Sequence, residues 1–344
     1  MGHPYQHDTN TSDPGWLPDT LSVVCVALTR RGLLLGSAGI AVGTATTACG
    51  LIGSDDRDGA LPAKEVVDAV RNLVNETGRD AFQRLQIPTD SWLTADLLMT
   101  DGGVQEYTMF TADDWKKGTY RGRSLTTSPS SATVADLRLD LLAAYRSAVP
   151  GYERLVIDVD YVGKVRVSAF VEPDLASVGV KLDGKGTLPQ FDYETVSGVR
   201  GAIAEILAGY GSNVERVGSF NGFVHVDAAV TGHRVGVRIV RYPTVAPQAS
   251  LTDENPFAPA LLFDPTGFDP TMALSRMKTI AQETGVSGKV WDWRYSRPQP
   301  GAAPAVSYGI GPDVPNTRVW LDSTGKVSAV VSGKCKSGTG WCPN

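Results

Sequence analysis

Read for the spacing of apolar and polar positions, the chain falls into four units, each a helix followed by strands. Val66, Val67, Val70, Leu73 and Val74 recur at helical spacing and predict a helix over 64–77, followed by strands at 92–100 and 104–111 around the Asp101-Gly102-Gly103 turn. A second helix is predicted over 133–147, stopped by Pro150-Gly151. Beyond it, Leu155, Ile157, Val159 and Tyr161 alternate along one strand and Val165, Val167, Ala169 and Val171 along the next. The third unit opens at Phe191-Asp192, with a helix to about Gly209. The fourth opens at Phe268-Asp269-Pro270, where Asp suits an N-cap and Pro the first helical position, and its helix runs to Glu283 before Gly285. Strands at 289–295, 306–310, 318–321 and 327–331 complete it.

The hairpin of the third unit defines its own register. A connection from Thr231 to Arg234 pairs Val230 with Val235, Ala228 with Val237 and Val226 with Ile239, all apolar on one face. The same register sets Asp227 opposite Arg238 on the other face, and a slip of one residue would destroy both patterns. Pro/Gly-rich joins at 183–189 and 243–270 separate the units. The predicted class is therefore α+β: two halves, 64–188 and 189–334, each with helices packed on an antiparallel sheet. In the last unit, Val319-Trp320-Leu321-Asp322-Ser323-Thr324-Gly325-Lys326-Val327 resembles the small exported helix-plus-sheet modules of the PepSY type, a likeness of fold that implies no catalytic residue.

The N-terminus speaks to location. Thr29-Arg30-Arg31-Gly32-Leu33-Leu34-Leu35-Gly36 opens a Gly- and Ala-rich apolar stretch that ends Thr46-Thr47-Ala48-Cys49-Gly50. Paired basic residues before about 15 weakly apolar ones have the layout of a secretory signal, and the stretch is shorter than the roughly 20 residues that span a bilayer. It resembles a bacterial twin-arginine signal peptide joined to a lipobox, with Thr46 where a lipobox usually carries an aliphatic residue. That resemblance implies export in the folded state through Arg30 and Arg31, cleavage after residue 48, and acylation of Cys49 on the outer face of the cell membrane. Residues 49–63, Gly/Asp-rich, then read as a tether.

Composition narrows the chemistry. With 32 Lys and Arg against 37 Asp and Glu, the net charge of −5 does not suggest nucleic acid as a partner. Cys335 and Cys342, in an oxidising compartment, read as a disulfide that closes the tail 335–344. Past Cys49 the histidines are His225 and His233, and there is no Gly-x-Ser-x-Gly elbow, zinc-type His spacing, dinucleotide fingerprint or phosphate loop. No metal or cofactor is therefore expected. One strip bears on binding: alternation puts Trp291, Trp293 and Tyr295 on one strand face, with Asp292 and Arg294 on the other. Facing a helix the strip is core; facing solvent it marks a ligand or protein site. The expectation is a lipid-anchored envelope protein, a non-catalytic binding or accessory module whose partner is an envelope protein or cell-wall ligand. The alternative is an anchored hydrolase working through paired carboxylates.

Overall fold

The computed structural model describes residues 60–333, apart from 90–91, 112–113, 124–129, 172–175, 221, 230–235 and 252–257. Arg30, Arg31, Cys49, Cys335, Cys342, His233 and the Val230–Val235 pair lie outside the described residues.

The chain is mainly β. In the first half, helix α1 (Ala63–Thr77) precedes β1 (Phe82–Pro88), β2 (Thr94–Leu98), β3 (Val104–Thr111) and β4 (Asp114–Arg121). Helix α2 (Leu142–Ala148) then precedes β5 (Tyr152–Val159), β6 (Val165–Val171) and β7 (Ala176–Val180). In the second half, α3 (Val196–Tyr210) leads to β8 (Val214–Phe220), β9 (Phe223–Ala228), β10 (Val237–Arg241) and β11 (Gln248–Leu251). Two short helices, α4 (Thr271–Arg276) and α5 (Ile280–Thr284), lead to β12 (Lys289–Ser296), β13 (Ala305–Gly311), β14 (Thr317–Leu321) and β15 (Val327–Ser332). The strands form one antiparallel sheet in the order β4-β3-β2-β1-β5-β6-β7 and another in the order β11-β10-β9-β8-β12-β13-β14-β15. Each sheet is thus two meanders joined through their first strands, β1 to β5 and β8 to β12.

This corrects the expected α+β class with helices packed on each sheet. Among the described residues fifteen strands in two sheets dominate, and of the helices described there α1 and α3 alone exceed seven residues. The expected helix over 133–147 survives only as α2, because Arg138 takes a left-handed turn (φ 50°) that breaks it. The last helix is likewise split between Arg276 and Ile280. Strands β1, β4, β7, β8 and β11 were not expected. In β1 and β8 a bulge near the N-terminal end interrupts the alternation, and β4 buries Trp115 while most of its other residues are exposed.

Apolar side chains of each half form one cluster. In the first, Val66, Ala69, Val70 and Leu73 of α1 join Phe82, Leu85 and Ile87 of β1. Gly78 (φ 64°) ends α1 and donates to the Val74 carbonyl, the left-handed cap that glycine tolerates best. In the second, Thr195 caps α3 by accepting from Gly198 N–H, and Val199, Ala202 and Ile206 pack with Val217, Val226, Ile239 and Tyr308. Asp160, in the β5–β6 turn, links the halves. Its carboxylate accepts from the Val162 and Lys164 amides of its own turn, from the Tyr210 hydroxyl at the end of α3, and from Ala249 N–H of β11.

Candidate functional site

One face of the eight-stranded sheet is mostly apolar; the other carries charged and polar residues among glycines and a few apolar side chains at its margins. Ladder pairing arranges the second face in rows across the strands. One row reads Arg238 (β10), Asp227 (β9), Arg216 (β8). The next reads Val240, His225, Gly218, Arg294, Ser307 and Trp320 from β10 to β14. The third reads Phe223, Phe220, Asp292, Gly309 and Arg318. The Asp227–Arg238 pairing and its flanking Val226–Ile239 and Ala228–Val237 pairs follow the register that the alternation of the sequence demands.

This face is polar and yet buried: Asp292 is 1% exposed, His225 4%, Arg318 5% and Ser307 0%. Ions withdrawn from water must be paired and hydrogen-bonded, and the two carboxylates are. Arg238 grips Asp227 in two-point fashion at 2.8 and 3.1 Å, and Arg216 adds a third contact at 3.2 Å. Arg318 grips Asp292 at 2.6 and 3.2 Å, Arg294 approaches the same group at 3.0 Å, and the Gly309 amide donates to it at 3.0 Å. Burial alone would raise both carboxyls; Arg238 with Arg216, and Arg294 with Arg318, outweigh it and hold both well below the usual carboxylate range. Burial lowers Arg294 to about 9, Asp292 opposing and Arg318 and Arg216 adding to the fall. Burial likewise takes His225 down to about 3, against the pull of Asp227 and with the push of Arg238, Arg294 and Arg216, so it is neutral at physiological pH.

Two glycines make this packing fit. A Cβ on Gly218 would lie 2.7 Å from Cε1 of His225 and 2.8 Å from the Trp293 carbonyl. One on Gly309 would lie 2.7 Å from Asp292 Oδ1 and 2.9 Å from Arg318 Nη2. Arg318 therefore reaches Asp292 across β13 only because nothing stands at Gly309.

As chemistry, the arrangement is a set of fixed charges. Neither Asp227 nor Asp292 retains a proton to give as a general acid at neutral pH. Both Asp227 oxygens are occupied by arginine, and His225 Nδ1 has no hydrogen-bond partner, so Asp227 does not orient the imidazole. Ser307 lies three strands from His225, about 14 Å between backbones, so the two do not form a nucleophile–base couple. Among the described residues no three His, Cys, Asp or Glu side chains gather in a way that would hold a metal ion.

The aromatic strip divides. Trp293 is fully buried and Tyr295 half-buried; both pack against Phe268, whose ring stacks on Tyr295 at 4.3 Å and lies 5.6 Å from Trp293. Trp291 sits at the bulge between Val290 and Asp292, donates to the Gly311 carbonyl at 2.9 Å and is capped by Lys289. Trp293 and Tyr295 are thus core, while Trp291 stands apart. In the sequence Asp292 and Arg294 stand out only as the reverse face of the aromatic strip, and the mid-strand glycines Gly218 and Gly309 are the further sign that the buried charges meet there. No protein-family model matches the chain, and no curated protein matches it in sequence.

Proposed function

We propose that the chain is a lipid-anchored protein of the outer face of a bacterial cell membrane, acting as a non-catalytic binding or accessory module. The observation that carries the non-catalytic part is the saturation of the buried carboxylates. Asp227 and Asp292 are each held by two arginines and stay ionised, which suits a scaffold and not an acid–base pair. The same observation weighs against the hydrolase alternative. The anchored part rests on Arg30, Arg31 and Cys49 and on their resemblance to a twin-arginine lipoprotein signal. Among the described residues no helix is long and apolar enough to cross a membrane, and a lipid on Cys49 supplies the attachment.

Intact mass spectrometry of membrane and soluble fractions from a native-like host, with and without reductant, tests this reading. The expected species is membrane-bound, begins at Cys49, carries acyl mass and gains two hydrogens on reduction. A soluble or uncleaved species would overturn the anchor.

A further inference from the structure

The outermost strand of a sheet turns a row of backbone N–H and C=O groups away from its neighbour, ready to pair with another chain. Three of the four edges of the two sheets are guarded. Strand β4 carries Lys116, Lys117 and Arg121 and breaks its register with β3 twice. Strand β7 is covered at Gly179, whose amide donates to the Thr244 carbonyl and whose carbonyl accepts from Leu188 N–H. Strand β11 is short, and its Ala249 donates to Asp160 and accepts from Tyr161 N–H. The fourth edge, β15, is bare beyond a single bulge at its Val327 end. Its sequence, Val327-Ser328-Ala329-Val330-Val331-Ser332, holds no charge and no proline, and among the described residues no backbone group pairs with its outer side.

The ladder decides which groups face outward. Gly333 N–H donates to the Asn316 carbonyl, and bonded pairs alternate with unbonded ones along an antiparallel ladder. Val331 and Ala329, opposite Arg318 and Trp320, therefore bond to β14, while Val330 and Ser332 turn their N–H and C=O groups outward. Val330 also ends an apolar row that crosses the sheet as Trp293, Tyr308, Val319 and Val330. The first three are 0% exposed and Val330 is 48% exposed, so the row breaks off into water at the edge.

We infer that β15 is the interface of a two-fold dimer, in which it pairs antiparallel with β15 of a second copy of this chain. A second copy fits because the strand matches itself. With the axis at Val330, Val330 faces Val330 and Val331 faces Ala329, so apolar side chains meet on both faces and no charge meets its like. The two Val330 residues exchange N–H···O=C bonds, and the row through Trp293, Tyr308 and Val319 continues into the second copy. Residues 334–344 suit the place less well, with Gly338, Gly340 and Pro343 among them. The inference goes beyond the anchored module and uses neither the signal nor Cys49, so anchoring and dimerisation fail independently.

Sedimentation velocity of the full-length protein is the test, with Cys49→Ser and reductant present so that neither acyl chains nor disulfides join copies. The expected result is a dimer at micromolar concentration, with amide exchange at Val330 and Ser332 slowing as concentration rises. Val330→Pro removes only an outward N–H and leaves the β14 ladder whole, so it should weaken association roughly 10-fold or more while keeping the parent circular dichroism. Val330→Lys sets two like charges on the axis and should have the same effect; it carries the test if the proline variant does not fold. A parent chain that stays monomeric overturns the inference and leaves the edge to the tail or to a strand of another protein. A dimer that both variants leave intact overturns it too.

Discussion

The two sheets follow one plan of paired meanders, and each carries a charged row on one face, but the rows differ in charge balance and surroundings. In the seven-stranded sheet the row runs Glu106, Asp96, Arg84, Asp158, Arg166, with Arg121 reaching in to Asp96 at 2.8 Å. Acids and bases balance at three each along it, and the Arg84 and Arg121 side chains are 38% and 47% exposed although Asp96 and Arg166 are buried. In the eight-stranded sheet four arginines surround two aspartates, and the Arg294 and Arg318 side chains are 13% and 6% exposed. A cross-strand pair that keeps water at its back is worth little and costs little to remove. The same pair without water cannot lose a member, because the survivor has nowhere to place its charge. Depth therefore decides how each row answers a lost partner: the arginines on Asp96 keep a way out to water, and those on Asp292 do not.

The contrast can be broken, most forcefully at Asp292. Asp292→Ala leaves Arg294 and Arg318 facing each other in a dry site and should cost about 3–5 kcal/mol by urea unfolding. A loss below about 1 kcal/mol would show that this face is wetter than its burial implies.

Acid should come next. His225 is held near 3 against its ordinary 6.5, so between those values the unfolded chain binds a proton that the folded chain refuses. Stability then falls as pH drops below about 6.5, by about 2 kcal/mol at pH 5, and keeps falling towards 3. Asp227 and Asp292 add a second loss below their ordinary 3.8, since their folded-state values are depressed. His225→Gln should remove the first slope and leave the second, as read from urea midpoints across pH. An unchanged first slope would place the titrating group elsewhere.

Smaller effects sharpen the picture. Gly218→Ala sets a methyl group against the His225 ring and the Trp293 carbonyl, and should cost about 1–2 kcal/mol in the same assay. Asp96→Ala in the other sheet should cost less than about 1 kcal/mol, because Arg84 and Arg121 turn back to solvent, and that small loss should shrink further in high salt. If Asp96→Ala matched Asp292→Ala, the distinction between the two rows would disappear.

What could be read beforehand follows the same division between regular and interrupted pattern. Helix α1 and the β9–β10 register were legible because a buried stripe or face repeats without interruption: Val66, Val70 and Leu73 in one, Val226 with Ile239 in the other. Strand β11 has four residues and β4 buries Trp115 in an otherwise largely exposed run, so neither carries enough alternation to stand out from loop. Bulges at Phe82/Arg84 and Val214/Arg216 shift the period within β1 and β8, and with these strands unseen the helices looked like a larger share of each half than they are. The Asp227–Arg238 pair could be found because it spans a single hairpin. Asp292 and Arg318 are 26 residues apart with β13 between them, and only the glycine at 309 hints that they meet.

The joining of meanders through their first strands also sets an order of assembly. Within a meander every new strand pairs with the one just made, so β1 to β4 and β8 to β11 form through short-range contacts. The ladders β1–β5 and β8–β12 must instead wait for a segment some seventy residues downstream, a closure whose entropy grows only slowly with length but which sets the pace of folding. Until Lys289–Ser296 leaves the ribosome, β8 offers an open edge and Arg216 has no β12 beside it. Asp292 arrives on that same strand, and Arg318 two strands later, so the charged face becomes whole only once β14 has joined the sheet.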